Sequence, residues 1–178
     1  MNTTWRLLLA LVIAITISAC KTTEPETDTS ATEATDTKPV VEEATTTAAP
    51  DPRDYTDARN FDNSESLLSK RVIYFDFDKS EVKAEYRAIV AAHASYVASQ
   101  RSARVTLEGH ADERGTREYN LGLGERRSNA ISGLLSAAGA MGTQLDSVSY
   151  GEERPVCRVS DENCWWQNRR VEIVYTAR

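Results

Sequence analysis

Val105-Thr106-Leu107-Glu108-Gly109-His110-Ala111-Asp112-Glu113-Arg114-Gly115-Thr116, running on as Arg117-Glu118-Tyr119-Asn120-Leu121-Gly122-Leu123-Gly124-Glu125-Arg126-Arg127, is the stretch from which the organisation of this chain is read. Val105, Thr106 and Leu107 alternate apolar and polar, as a half-buried strand does. Gly109 and Gly115 bracket a charged turn. A helix follows from about Thr116 to Ala138, with Leu123, Arg127, Ile131, Leu134 and Leu135 on one broad face and Gly139 as its stop. Strand, turn and helix in that order let Asp112 fold back beside the helix surface that carries Leu123 and Arg127. An exposed acid beside an exposed base is a receptor for a zwitterion, carboxylate to guanidinium and ammonium to carboxylate. Spacing alone leaves a second reading open, a weak ion pair on a solvated surface.

Outward from that stretch, residues 72–77 are β-branched and aromatic, hence a strand. Asp78 and Ser80 are cap-type residues, after which Val82, Tyr86, Ile89, Val90, His93 and Val97 recur at helical spacing. His93 lies in that stripe, where a hydrogen-bonded core histidine is the plainer reading and a catalytic one the sharper. Residues 147–150 form a third strand closed by Gly151, and 170–175 a fourth with strict alternation. Strands alternating with helices predict an α/β (α+β) sandwich, a small mixed four-stranded sheet with helices packed on one face.

A chain of 178 residues leaves room for one domain and something more. Arg6 makes a positive start, residues 7–17 are an apolar run, and Ile17-Ser18-Ala19-Cys20 closes it with small residues before a cysteine. Crossing hydrocarbon takes about 20 apolar residues, so this shorter run reads as the core of a signal peptide over 1–19. From Lys21 to about Asn60, Thr, Ala, Glu, Asp and Pro dominate. Such a segment buries too little apolar surface to offset its ordering entropy, so 20–60 is expected to be a disordered acidic tether. Its ten acids against four bases account for the whole net charge of −6, and the acidity therefore says nothing about a cationic substrate. Roughly 40 flexible residues span on the order of 35 Å. The folded domain is expected over 61–178.

Chemistry narrows the function classes. His110, Asp112 and Glu113 can be read as a metal or hydrolase constellation, but the chain has two histidines, and a transition-metal site wants three or four ligands. There is no nucleophile elbow, no Walker loop and no dinucleotide fingerprint; Gly122-Leu123-Gly124 sits mid-helix and lacks the third glycine. The domain is near electrical neutrality, which argues against nucleic acid. A binding module is expected, with no enzyme activity, no metal and no cofactor. Cys157 and Cys164, an even pair in an exported protein, read as a disulfide over a short loop worth about 2–3 kcal/mol. A metal bound by two sulfurs is the rival, without a neighbouring histidine to support it. Trp165 and Trp166 follow directly, one expected on the core and the other exposed to a partner.

Gly109-His110-Ala111-Asp112-Glu113-Arg114-Gly115, with Asn120, Leu123, Gly124, Arg127 and Ala130 downstream, resembles the OmpA C-terminal-like peptidoglycan-binding family, most fully its lipid-anchored branch. The resemblance runs from residues 72–78 through 149–151 to 168–173, and it implies a βαβαββ-like plan. It also implies a ligand, the diaminopimelate residue of the peptidoglycan stem peptide, with its carboxylate on Arg127 and its ammonium on Asp112. Phe77, Asp78 and Leu123 match family positions that line the pocket, and Arg114 adds a charge-assisted contact. Arg169 and Arg170 resemble the family's closing element, one facing the ligand and the other an internal acid.

Cys20 resembles a lipobox cysteine, which implies cleavage before it, a diacylglycerol thioether on its sulfur and an acyl chain on its amine. Several acyl chains, at about 0.8 kcal/mol per buried methylene, anchor durably. Lys21 is not the aspartate that resembles an inner-membrane retention signal, so the implied place is the outer membrane with the domain facing the periplasm. The implied partners are the stem peptide and a TolB-like periplasmic protein, within the Tol–Pal machinery of envelope constriction during cell division. An alternative is a wall-tethering lipoprotein of a secretion, motor or efflux assembly. Many members of this branch lack the Cys157/Cys164 pair, which reads as a reinforcement.

Overall fold

In the computed structural model, residues 48–178 are described; the signal peptide, Cys20 and residues 20–47 of the expected tether lie outside the described residues. Four strands form one sheet in the order β1 (Val72–Tyr74), β4 (Arg170–Ala177), β2 (Arg104–His110), β3 (Leu145–Gly151). β4 is antiparallel to both of its neighbours, while β2 and β3 are parallel. A parallel pair needs a crossover, and α2 (Arg117–Ala137) supplies it.

The register explains which face is dry. Leu107 lies opposite Ile173 and Val171 opposite Ile73, so the alternate positions of three strands put one apolar row on one face. All four are buried, in one core with Val90, Tyr96 and Val97 of α1 (Arg87–Ser99) and Ile131 and Leu135 of α2. The opposite face carries half-buried Glu108 directly across from Glu172. The expected mixed four-stranded sheet with helices on one face is the architecture found.

Local chemistry sets the ends of α2. The Thr116 hydroxyl accepts from the Tyr119 amide at 3.2 Å as an N-cap. Gly139 takes a φ of 105°, a conformation that L side chains rarely adopt, just past the last turn.

Several boundaries differ from expectation. α1 begins only at Arg87, after a 3-10 turn over Ala84–Tyr86, so Val82 is buried ahead of the helix instead of within it. β1 ends at Tyr74, although the Phe75 amide still donates to the Arg169 carbonyl at 2.8 Å. A seven-residue helix, α3 (Glu162–Asn168), was not expected at all.

The tether boundary at residue 60 also shifts. Asn60 is buried, its side-chain amide donating to the carbonyls of Asp51 (2.7 Å) and Asp54 (2.8 Å), and Phe61 meets Tyr96 edge-on. Residues 51–60 are therefore laid against the domain. Asp51, Asp54 and Asp57 each accept an amide two residues on, which satisfies the backbone locally without apolar side chains.

Candidate ligand-binding site

Arg127 heads the fully buried side chains in size. Its α2 position faces the sheet, and its guanidinium is spent on main-chain oxygens. Nε donates to Lys79 at 2.8 Å, Nη1 to His110 at 2.7 Å and Nη2 to Asp76 at 3.1 Å. These bonds tie α2 to the end of β2 and to the turn after β1. Among the described residues no carboxylate forms an ion pair with it; burial lowers its pKa to about 10, partly offset by the charge of Asp112. One N–H on each terminal nitrogen remains unused by those three bonds. A buried, charge-unpaired cation gains by meeting an anion.

A cavity of about 190 Å³ opens against it, lined also by Phe77, Asp78, Asp112, Arg114, Tyr119 and Leu123. Six of the eight residues singled out from sequence and resemblance therefore share one concavity. Arg169 and Arg170 do not line it. Arg169, the nearer of the two, stands behind Asp112, donating Nη1 to Asp112 Oδ2 at 3.2 Å, Nε to the Phe75 carbonyl at 3.2 Å and Nη2 to Glu162 at 2.6 Å. Arg170 turns to Glu172 at 2.6 Å. Both arginines of the closing element thus contact internal acids.

Neither the expected exposed acid and base nor the alternative surface ion pair is what forms. Asp112 is only 4% exposed and Arg127 is at 0%. They are not salt-bridged; Asp112 is paired with other charges, whereas Arg127, among the described residues, is hydrogen-bonded to main-chain carbonyls only. Asp112 receives the Arg114 amide and Nε on Oδ1, both at 3.1 Å, and Arg114 Nη2 on Oδ2 at 2.6 Å, beside Arg169. That fills about four lone-pair positions. Burial pushes the Asp112 carboxyl up, but the bonds from Arg114 and Arg169 together hold it below the usual range. The physical reason is proximity along the chain: Arg114 is two residues away and closes a turn, whereas Arg127 is across the cavity wall and already saturated by carbonyls on one side.

Arg114 is itself flanked by two rings, Phe77 at 4.0 Å and Trp165 at 4.2 Å from its carbon centre. Neither tryptophan sits in the core as expected of one of them. Trp165 covers Arg114, and Trp166 meets Tyr74 at a 60° tilt with ring centroids 5.0 Å apart while 44% exposed.

Asp78 is the other carboxylate at the mouth. It sits at φ 55°, a region that Asp tolerates better than most residues. The Tyr119 hydroxyl donates to its Oδ1, and its Oδ2 has no hydrogen-bond partner among the described residues. Tyr119 was missed from sequence, although it lies one helical turn before Leu123 and so on the same face. Glu162 and Trp165 were missed because nothing in their spacing marks α3 or aims it at Asp112. Cys157 and Cys164 are joined by the expected disulfide.

Known proteins align over this same region. The sequence model of the OmpA family matches residues 74–168, more than half of the chain. The peptidoglycan-associated lipoprotein of Pseudomonas putida is 47% identical over 108 residues, 61% of this chain and 64% of that protein; the chain thus spans just under two thirds of that relative's length. The peptidoglycan-associated lipoprotein of Haemophilus influenzae is 45% identical over 103 residues, 58% of this chain and 67% of that one. The crystal structure of the Burkholderia pseudomallei peptidoglycan-associated lipoprotein superposes with a TM-score of 0.64 at 42% identity, covering 65% of this chain and 98% of that one. The C-terminal domain of Helicobacter pylori MotB shares the fold alone, at 17% identity and a TM-score of 0.55, over 60% of this chain and 83% of that one. The chain belongs to the OmpA family, in the branch of the peptidoglycan-associated lipoproteins.

Proposed function

We propose that this protein is an outer-membrane lipoprotein, acylated at Cys20, whose domain binds the diaminopimelate-containing stem of peptidoglycan without covalent chemistry and so tethers membrane to wall. It acts by binding alone and carries no cofactor. The observation that carries the reading is Arg127, a buried cation at the inner wall of a cavity, with unspent N–H groups and no carboxylate of its own. A ligand carboxylate supplies the missing charge. The ammonium of the same amino-acid centre goes to the acidic side of the mouth. Asp112 has its lone pairs occupied, so Asp78, with one oxygen unpartnered, is the acceptor that the geometry favours, and Asp112 sets the field through its two arginines. A zwitterionic head is recognised by two opposite charges at fixed separation, which a neutral or singly charged side chain does not match. The names of the Pseudomonas and Haemophilus relatives, which state an association with peptidoglycan, support the reading. As the sequence resemblance implies, we further place the protein in the Tol–Pal system with a TolB-like periplasmic partner.

Pull-down with purified sacculi tests this. The wild-type protein is expected in the pellet, less of it at high salt because the contacts are charge pairs. Arg127→Ala and Asp112→Ala are expected in the supernatant. Retention of both variants on the wall sinks the site assignment. A TolB-like protein that co-purifies and is displaced by soluble muropeptide supports the second partner.

A further inference from the structure

α3 is held from both ends. Cys164 in its first half is bridged to Cys157 in the preceding loop, and Asp161 caps its start by accepting from the Cys164 amide at 3.1 Å. At its last residue, Asn168 accepts from the amides of Val156 (2.9 Å) and Cys157 (3.1 Å) and donates to the Cys157 carbonyl at 2.7 Å. One covalent bond and these three hydrogen bonds lace the loop to the helix.

The helix in turn reaches both arginines that grip Asp112. Glu162 accepts from Arg169 Nη2 at 2.6 Å and lies 3.6 Å from Arg114 Nη1. Trp165 covers the Arg114 guanidinium at 4.2 Å and donates its indole N–H to Glu113 at 3.0 Å. No α3 side chain lines the cavity. The helix touches the groups that touch the lining.

We propose that α3 is the positioning element of the ligand site. The Cys157–Cys164 bond places Glu162 and Trp165, these orient Arg114 and Arg169, and the two arginines hold Asp112 at the cavity wall. Long arginine side chains lose rotamer freedom when fixed; a closed disulfide makes that loss before the ligand arrives, and an open one defers it to binding. The core of α1, α2 and the sheet does not pass through this loop, so opening the bond loosens the site while the domain stays folded. The opening is a two-electron reduction: a dithiol reductant gives two electrons and two protons, the S–S bond becomes two thiols, and the reductant leaves as its cyclic disulfide. This inference rests on the wall-peptide reading above.

The test uses full-length protein in detergent, titrated calorimetrically with a diaminopimelate-containing stem tripeptide. Three forms are compared: oxidised, reduced with dithiothreitol, and the double variant Cys157→Ser/Cys164→Ser. The second and third are expected to bind about tenfold more weakly, with far-ultraviolet circular dichroism unchanged. Trp165→Ala is expected to bind severalfold more weakly, and Trp165→Phe, which keeps a ring over Arg114, close to wild type. The titration of the Asp112 carboxyl, followed by carbon NMR, is expected to move up toward the ordinary range in the double serine variant, because its arginines are no longer aimed. A purely mechanical staple moves stability and leaves that titration in place. Equal affinity of the oxidised and reduced forms, or an unmoved Asp112 titration, overturns the inference. If oxidised wild type does not bind the peptide, the wall-peptide reading falls instead, and the Asp112 titration still decides the role of α3.

Discussion

Arg127 donates to the main-chain oxygen of His110 at 2.7 Å, so the cation that faces the cavity is also the bolt between α2 and the end of β2. Its fork reaches two further carbonyls, of Lys79 and Asp76. Arg127→Lys keeps a charge but cannot span three acceptors in one plane. Leaving the buried His110 carbonyl without its donor costs about 1–3 kcal/mol, and the part-buried carbonyls of Lys79 and Asp76 add less, so urea unfolding should show a loss of about 2–4 kcal/mol. Sacculus binding should fall with it. A lysine variant as stable as wild type contradicts the bolting role.

Asp78 and Asp112 should separate by stability. Asp112→Asn strips the charge that pairs with Arg169, whose side chain is 7% exposed, and breaking one partner of a buried pair costs about 3–5 kcal/mol. Asp78→Asn stays at an exposed site and tolerates the same backbone. Its stability should stay within about 0.5 kcal/mol of wild type, while affinity for the stem peptide drops about tenfold as the ammonium loses a charged acceptor. Calorimetric titration checks this; wild-type affinity in Asp78→Asn sends the ammonium elsewhere.

Helix α2 meets β2 through glycine. A Cβ on Gly109 would lie 2.0 Å from the Gly124 carbonyl oxygen, which is backbone and cannot swing away. Gly109→Ala must push α2 off the sheet, and overpacking of this kind costs about 3 kcal/mol. Leu123 and Arg127 move with the helix, so ligand affinity should fall as well. Gly133→Ala in the same helix meets open space and should raise stability by about 0.5–1 kcal/mol from helix propensity. Urea midpoints of the two variants should move in opposite directions.

Both histidines are buried and neutral. His93 donates Nε2–H to the Lys70 carbonyl and accepts the Tyr175 hydroxyl at Nδ1, each at 2.9 Å; the carbonyl can only accept, which sets the tautomer. Among the described residues His110 has no partner for either ring nitrogen. Burial lowers the pKa of each to about 4, helped at His110 by the Arg170 charge. The unfolded chain takes up a proton near pH 6.5 and the folded one only near 4, so stability is full above 6.5 and is lost as pH falls toward 4. Between pH 7.5 and 5 the loss should be about 2 kcal/mol per histidine. Imidazole proton shifts that stay flat from pH 8 to 5 in the folded protein check the cause, and a titration near 6.5 refutes it.

Residues 105–107, Gly109 and the helix from Thr116 to Gly139 were readable because period and cap chemistry are local. Local chemistry placed the Asp112 turn near the helix, since an acid after a strand and before a helix lands beside it, but that it is a ligand site was implied by the family resemblance and not by the spacing. The partners of Asp112 were not readable. Arg114 and Arg127 are both arginines on the same stretch, and only packing shows that the near one clamps Asp112 while the far one is absorbed by three carbonyls. α3 escaped notice because a seven-residue helix with a bridged cysteine has too few turns to show a period. Residues 51–60 were read as tether by their composition, yet asparagine and aspartate side chains order that segment through bonds that hydrophobicity does not register.

By itself, then, the order of residues determined the strands and the long helices, which follow from periodicity and turn residues, and the cysteine pairing, which follows from an even count in an exported chain; the side chains of the cavity wall were implied by the family resemblance. Only the tertiary structure decided that Arg127 is buried without a counter-charge while Asp112 is surrounded by two. That difference is made by long-range neighbours, His110, Lys79, Asp76 and Arg169, whose approach depends on how the sheet and α2 pack.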